Sequence, residues 1–312
     1  MSTAIFSHPD CSKHEMGDWH PESPARLQAI EDQLIASGLG ALLARRDAPL
    51  ASTEQIERVH QGCALAAVRD ALPGPGGYHP IDADTLLNQH SWQAALRAAG
   101  AAVAAVDALM AGEFDNAFCA IRPPGHHARP ASPMGFCLFN NIAIAARHAL
   151  DAHGLERVAI VDFDVHHGNG TEEAFAGDER VLMTSFFQHP LYPYSGVHAM
   201  GTAPSNMINI PVPSYTRGEA IRELVQAHWL PALQAHRPQM IFISAGFDAH
   251  REDDIASLGL VEADYAWMTS RIVEVAHQHA QGRIVSCLEG GYNLSALGRS
   301  VVAHLRSLAE LN

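Results

Sequence analysis

The stretch VAIVDFDVHHGNG, residues 158–170, decides how this chain is read. It opens as a buried strand, with four apolar residues in a row, and then presents two carboxylates, two adjacent histidines and two glycines. Burying that many ionisable groups is costly unless they pair with one another or bind a metal. In an extended segment alternate side chains share a face, so Asp162, Asp164 and His166 point one way and His167 points the other. Asp164 and His166 can grip one cation together, but two ligands do not complete a site.

Outward from this stretch, similar apolar runs recur at 116–121, 181–185, 207–212, 240–244 and 283–288. Helical patterns lie between or around them, at about 23–37, 53–70, 91–111, 140–152, 217–235, 262–280 and 294–310. Ser52 with Gln55 reads as a capping box at the start of the second. Such alternation implies an α/β protein with a central, mainly parallel sheet between two helical layers. The Gly/Pro-rich segments at 73–80 and 188–206 are too long for simple connectors and read as functional loops. With no linker and no internal repeat, residues 1–312 read as a single domain.

In open parallel sheets, ligands sit beyond the carboxyl ends of the strands. Four runs satisfy that rule at once: RPPGHH follows 116–121, DFDVHHGNG ends 158–162, AGFDAH follows 240–244, and EGGYN ends the run at 283–288. Asp248 is then the natural third ligand beside Asp164 and His166. Three protein ligands plus water is the open arrangement of a catalytic zinc, and two carboxylates with one imidazole also suit Fe(II) or cobalt. The second histidine pair, His126 and His127, can supply an acid and a base near neutral pH. Tyr292 adds a phenol that can hydrogen-bond a developing oxyanion. Together these groups describe metal-assisted hydrolysis of an acyl bond.

Composition narrows the partners. Of the 312 residues 47% are apolar and 17% charged, as in a globular protein, and the net charge is −14. Without a basic stripe, binding of nucleic acid through its phosphates is not expected; an acidic surface favours cationic substrates. The five cysteines, Cys11, Cys63, Cys119, Cys137 and Cys287, form no CxxC pair and point to a reducing compartment. The first residues do not read as a secretory signal. Arg97 and Asp107 interrupt the Ala-rich run around them, so no membrane span is read and a cytoplasmic protein is expected. The assembly state is left open to a homo-oligomer.

The set RPPGHHA, MGFCLFNN, DFDVHHGNG, SAGFDAH and EGGYN resembles the arginase-fold deacetylases, and within them the bacterial class II histone-deacetylase-like amidohydrolases. The resemblance runs from HPESPARL to the last helix. It implies about eight parallel strands with a zinc at their carboxyl edge, held by Asp164, His166 and Asp248. It implies His127 as the main general base and acid, His126 as its electrostatic companion, and Tyr292 as the oxyanion donor. Asp162 would orient His126 and Asn169 would orient His127; Asn rather than Asp at 169 is a class II trait. A potassium ion is implied near Asp162, Asp164, Ser185 and the backbone of His166 and Phe186. Gly135, Phe136 and Tyr192 would wall a tunnel for an acyl-lysine stem, and Asp82 would be a rim carboxylate holding substrate amides.

Three rival readings differ from this one at single residues. A two-manganese ureohydrolase needs a second bridging acid where this chain has Gly246. An acetylpolyamine amidohydrolase carries a rim acid at the position of Ile255, which favours acyl-lysine, although the acids of REDD (251–254) stand beside it. A scaffold that binds acyl-lysine without turnover would be signalled by loss of His127 or Tyr292, and both are present.

Overall fold

In the computed structural model, which describes residues 2–199 and 202–311, each apolar run becomes a strand. Among the described residues the strands are β1 Thr3–Ser7, β2 Ala44–Asp47, β3 His79–Pro80, β4 Leu86–Leu87, β5 Asn116–Cys119, β6 Val158–Asp162, β7 Val181–Gln188, β8 Met207–Val212, β9 Ile241–Ala245 and β10 Ile284–Leu288. All but the small β3–β4 pair join one 8-stranded sheet in the order β2-β1-β5-β10-β9-β6-β7-β8, and every pairing in it is parallel. The expected architecture is therefore the one observed.

The central strands read as unbroken apolar runs because both their faces are covered. Alternate residues of β6 go to opposite layers. Val158 and Ile160 pack with Ala98, Ile142 and Ala146, from helices α4 (Ser91–Met110) and α5 (Asn141–Asp151). Ala159 and Val161 face Ile30, Trp229, Ile272 and Val301 on the other side. That second layer is built from α1 (Ala25–Ala36), α7 (Gly218–Leu224), α8 (Leu230–His236), α9 (Glu262–His279) and α10 (Leu294–Leu308). By length and composition α4 could cross a bilayer, but 67% of its apolar window is buried in the protein.

Three differences from the sequence reading have local causes. The patterned stretch at 53–70 is two helices, α2 (Thr53–Glu57) and α3 (Gly62–Arg69), and the expected capping box at Ser52 is present. Between them His60 turns inward, where its Nε2 accepts from the Asn140 N–H at 2.8 Å and its Nδ1 meets the Arg129 carbonyl at 3.0 Å. The helix at 217–235 contains a π turn, Val225–Trp229, just before Pro231, whose ring cannot continue α-helical bonding. A further short helix, α6 (Asn169–Phe175), follows the opening stretch directly.

β5, β10, β9 and β6 are consecutive neighbours in the middle of the sheet. They are the four strands whose carboxyl ends carry the polar motifs. The fold thus brings all four motifs to one edge.

Candidate metal centre and active site

Beyond β6 the chain leaves the sheet in a tight turn that folds back on its own carboxylate. Asp164 Oδ1 accepts from the backbone N–H of His166 at 2.9 Å and lies 3.0 Å from its Nδ1. Its Oδ2 accepts from Gly290 N–H at 2.9 Å, beyond β10. Asp248 reaches in from the end of β9, and its Oδ1 accepts from Val165 N–H at 3.0 Å. Asp248 Oδ2 lies 3.2 Å from His166 Nδ1, yet receives no well-directed hydrogen bond. The Nδ1–H is directed to Asp164, which leaves this buried oxygen of Asp248 without a donor. Donor atoms of Asp164, His166 and Asp248 all lie within 4.8 Å of one another, and all three residues are buried.

The electrostatics ask for a cation. Burial opposes the charged form of His166, but Asp164 and Asp248 outweigh it and hold its pKa up to about 9. Burial likewise opposes charge on His126, where Asp164 and Asp162 prevail and raise it to about 10. Burial, reinforced by Asp164, lifts Asp248 above the usual carboxylate range. A divalent ion would satisfy the carboxylates and take the place of the imidazole proton. Backbone packing keeps the space clear of carbon. A Cβ on Gly246 would lie 2.1 Å from Asp164 Oδ2, and one on Gly290 would lie 2.1 Å from Asp248 Oδ2. The orphaned oxygen and the mixed carboxylate–imidazole set fit a divalent transition metal.

The second histidine pair stands beside this cluster. His126 Nδ1 lies 3.0 Å from Asp162 Oδ2, and its ring centroid is 4.0 Å from that of His127. His127 Nδ1 lies 2.8 Å from Asn169 Oδ1, while the Asn169 amide nitrogen points to Met134 Sδ. Nδ1 therefore carries the proton and Nε2 keeps a free lone pair. Burial, helped by His126 and His166, pushes the His127 pKa well below its ordinary value, so the ring is neutral at neutral pH. Tyr292 is pushed up by burial and stays a phenol, with the Arg26 guanidinium 5.0 Å from its ring centroid.

A pocket of about 460 Å³ opens onto these groups, lined by His127, His166 and Tyr292 at its base. Gly135, Phe136, Tyr192 and Ile255 line it too, joined by Asp84, Leu191 and Tyr194. Gly135 has φ +58°, and a Cβ there would meet His127 Cδ2 at 2.7 Å, so only glycine fits. The Tyr192 ring stands edge-on to His127 at 5.2 Å and the Phe136 ring edge-on to Tyr292 at 5.9 Å. The acid in the lining is Asp84 rather than Asp82. Asp82 Oδ1 instead accepts from the backbone of Asp84 and Thr85, at 2.9 and 2.6 Å, and its Oδ2 faces Gly135 N–H at 3.4 Å. Ser185 is the register partner of Asp162 and donates to Asn209 Oδ1 at 2.9 Å; the Phe186 ring is buried against Trp229. His167 turns away from the cluster to Glu172 and Ser195, each at 2.8 Å.

Several supporting residues escaped the sequence reading. Glu289, the acid of LEGGYN, is buried and accepts from the backbone N–H groups of Gly125 and His126 at 2.6 and 3.1 Å. Glu22 is sandwiched between Arg122 and Arg26, and all three are fully buried. Burial opposes the Glu22 carboxylate, but Arg122 overcomes it and holds the pKa down to about 2. Arg26 Nε donates to the Gly291 carbonyl at 2.7 Å, beside Tyr292. Asp253, within the acidic REDD run, is buried and accepts from Tyr292 and Asn293 N–H at 2.6 and 2.9 Å. The one available signal was that HPESPARL and REDD lie among the motif-rich stretches.

Residues 20–308 match the histone deacetylase domain, and the chain belongs to that family of deacetylase-type hydrolases. Among its relatives is the histone deacetylase-like amidohydrolase of Pseudomonas aeruginosa, 40% identical over 278 residues that span 88% of this chain and 73% of that one. Histone deacetylase 14, chloroplastic, of Arabidopsis thaliana is 37% identical over 93% of this chain and 73% of its own length. The crystal structure of the HDA15 HD domain superposes with a TM-score of 0.90 at 32% identity, covering 98% of this chain and 90% of that one.

Proposed function

We propose that this chain, as one catalytic domain, is a zinc-dependent amidohydrolase that removes acetyl or other acyl groups from the side-chain amine of acyl-lysine. The observation that carries the proposal is the orphaned Asp248 oxygen within the Asp164–His166–Asp248 cluster, at the base of a pocket that also holds neutral His127 and protonated Tyr292. Asp164, His166 and Asp248 would hold the zinc, with Fe(II) or cobalt as the other ions suited to this set. When bound, such an ion acidifies a water and polarises the acyl carbonyl.

The chain's own residues do the rest. His127 Nε2 takes a proton from the attacking water and returns it to the departing amine, as its bond to Asn169 leaves that nitrogen free. His126, held by Asp162, keeps positive charge next to the developing anion. The Tyr292 hydroxyl donates to the oxyanion. Phe136 and Tyr192 give the apolar wall that an aliphatic lysine stem needs, and Ile255 puts an apolar side chain at the position where a polyamine tail would seek an acid, leaving Asp84 as the acid in the lining. Potassium would find oxygen donors at Asp162, Asp164 and Ser185 and at the backbone carbonyls of His166 and Phe186. Five unpaired thiols accord with a reducing, cytoplasmic setting.

The test is turnover of an acetyl-lysine peptide and of an acetylpolyamine, with and without chelator, beside Tyr292→Phe. Chelator-sensitive peptide hydrolysis, with kcat reduced about 10²–10³-fold in the variant, is expected. Turnover of the polyamine alone would overturn the substrate assignment and keep the chemistry. Stoichiometric metal and peptide binding with no turnover of either would overturn the enzymatic reading.

A further inference from the structure

A second group of side chains of metal-ligating type lies at the opposite end of the sheet from the motifs at its carboxyl edge. Asp107 stands in the last turn of α4, His148 in the last turn of α5, and His153 just beyond it. Both helices end where the strands begin: five residues separate the end of α4 from the first residue of β5. His148 Nε2 lies 2.6 Å and His153 Nε2 2.7 Å from the same oxygen, Asp107 Oδ1. The two rings stand nearly perpendicular, their centroids 5.2 Å apart. Their side chains range from nearly buried His148 to half-exposed Asp107, so an ion from solvent can reach the group.

We infer that Asp107, His148 and His153 form a second, peripheral site for a divalent transition metal, separate from the catalytic centre. Two imidazole nitrogens and one carboxylate oxygen that already converge on one point are a ligand set for zinc, nickel or copper, with the remaining positions open to water. Donor atoms of the three residues lie within 4.8 Å of one another, as in the deep cluster. The carbonyl ends of two helices carry partial negative charge toward this corner, which favours a cation further.

One neighbour, Arg58, works against the ion. Arg58 Nη1 hydrogen-bonds His148 Nδ1. A guanidinium only donates, so His148 Nδ1 accepts and the proton sits on Nε2, the nitrogen that a metal needs. Binding therefore moves the His148 proton to Nδ1 and sends Arg58, partly exposed, out to solvent. The His153 proton moves from Nε2 to Nδ1 in the same way, so no net proton is released from neutral rings. Arg58 and the metal exclude each other.

The experiment is metal counting on the untagged, fully loaded protein, dialysed against micromolar zinc and analysed by mass spectrometry. Wild type should carry one zinc per chain more than His153→Ala and Asp107→Asn, whatever the deep site holds. Arg58→Ala should bind that extra zinc roughly tenfold more tightly. Circular dichroism on each variant confirms the fold, since His153 and Asp107 are partly exposed. Equal zinc in wild type and both variants overturns the site. A weaker extra zinc in Arg58→Ala overturns the exclusion by Arg58.

Discussion

Two clusters in this molecule use the same donor chemistry and live under opposite conditions. Asp164, His166 and Asp248 are buried at the carboxyl edge of the sheet, and one carboxylate oxygen has no hydrogen-bond donor. Asp107, His148 and His153 lie at the other end of the sheet, where each imidazole Nε2 is paired with the same carboxylate and Arg58 stands by as a built-in cation. The difference teaches that ligand identity alone does not decide whether a metal is required. Burial removes water as an alternative partner, so the deep cluster is incomplete without a cation. The shallow cluster is satisfied without one and takes a metal only in competition.

The largest effect should come from removing the orphaned ligand. Asp248→Ala should lose the tightly held catalytic metal and essentially all turnover, read by metal analysis alongside kcat/KM. If the variant keeps both, the deep cluster is no more demanding than the shallow one and the comparison breaks.

A smaller effect sharpens the same contrast through charge. His126 is held charged by its acids and depresses the pKa of His127. Removing that charge in His126→Ala should raise the His127 pKa, so the base becomes protonated at higher pH. The acid limb of the kcat–pH profile should then move upward, on top of a lower maximum. An acid limb that stays in place would detach His127 from that limb.

The smallest effect concerns histidines that neither cluster uses. Burial depresses His14 and His304 to about 3 and His60 to about 4. At these three positions the unfolded chain binds more protons than the folded one below about pH 6.5, so their contribution to stability falls as pH drops from there toward 4. Each such histidine contributes a slope of about 1.4 kcal/mol per pH unit in that window. Urea unfolding at several pH values should show a shallower decline for His304→Gln by about one proton's worth. Parallel declines in the two proteins would show that His304 is not held neutral.

The sheet and the ligand spacing were legible because they depend on short-range pattern. Strands covered on both faces read as continuous apolar runs, and Asp-x-Asp-x-His shows its alternation within five residues. The edge strand β2 escaped because Arg45 and Arg46 leave it looking like a surface segment, and the break between α2 and α3 depends on partners of His60 far along the chain. The supporting ions were illegible for the same reason. Glu22, Arg122 and Glu289 are separated by a hundred residues or more, and a buried charge looks like a solvated one until its partner is known. That Asp84, two residues beyond Asp82, also faces the pocket was not legible, because two acids in one turn look alike until the backbone bonds to Asp82 are seen.

The bond from the Gly125 and His126 amides to Glu289 has a consequence in time as well as space. These amides belong to a loop, and loop amides ordinarily exchange with deuterium quickly. Here their acceptor sits inside the sheet, at the end of β10, out of reach of water. The loop that carries His126 and His127 cannot open alone. Its amides should stay protected for as long as the central strands do, so that the histidine pair and the Asp164–His166–Asp248 cluster persist and melt as one cooperative unit.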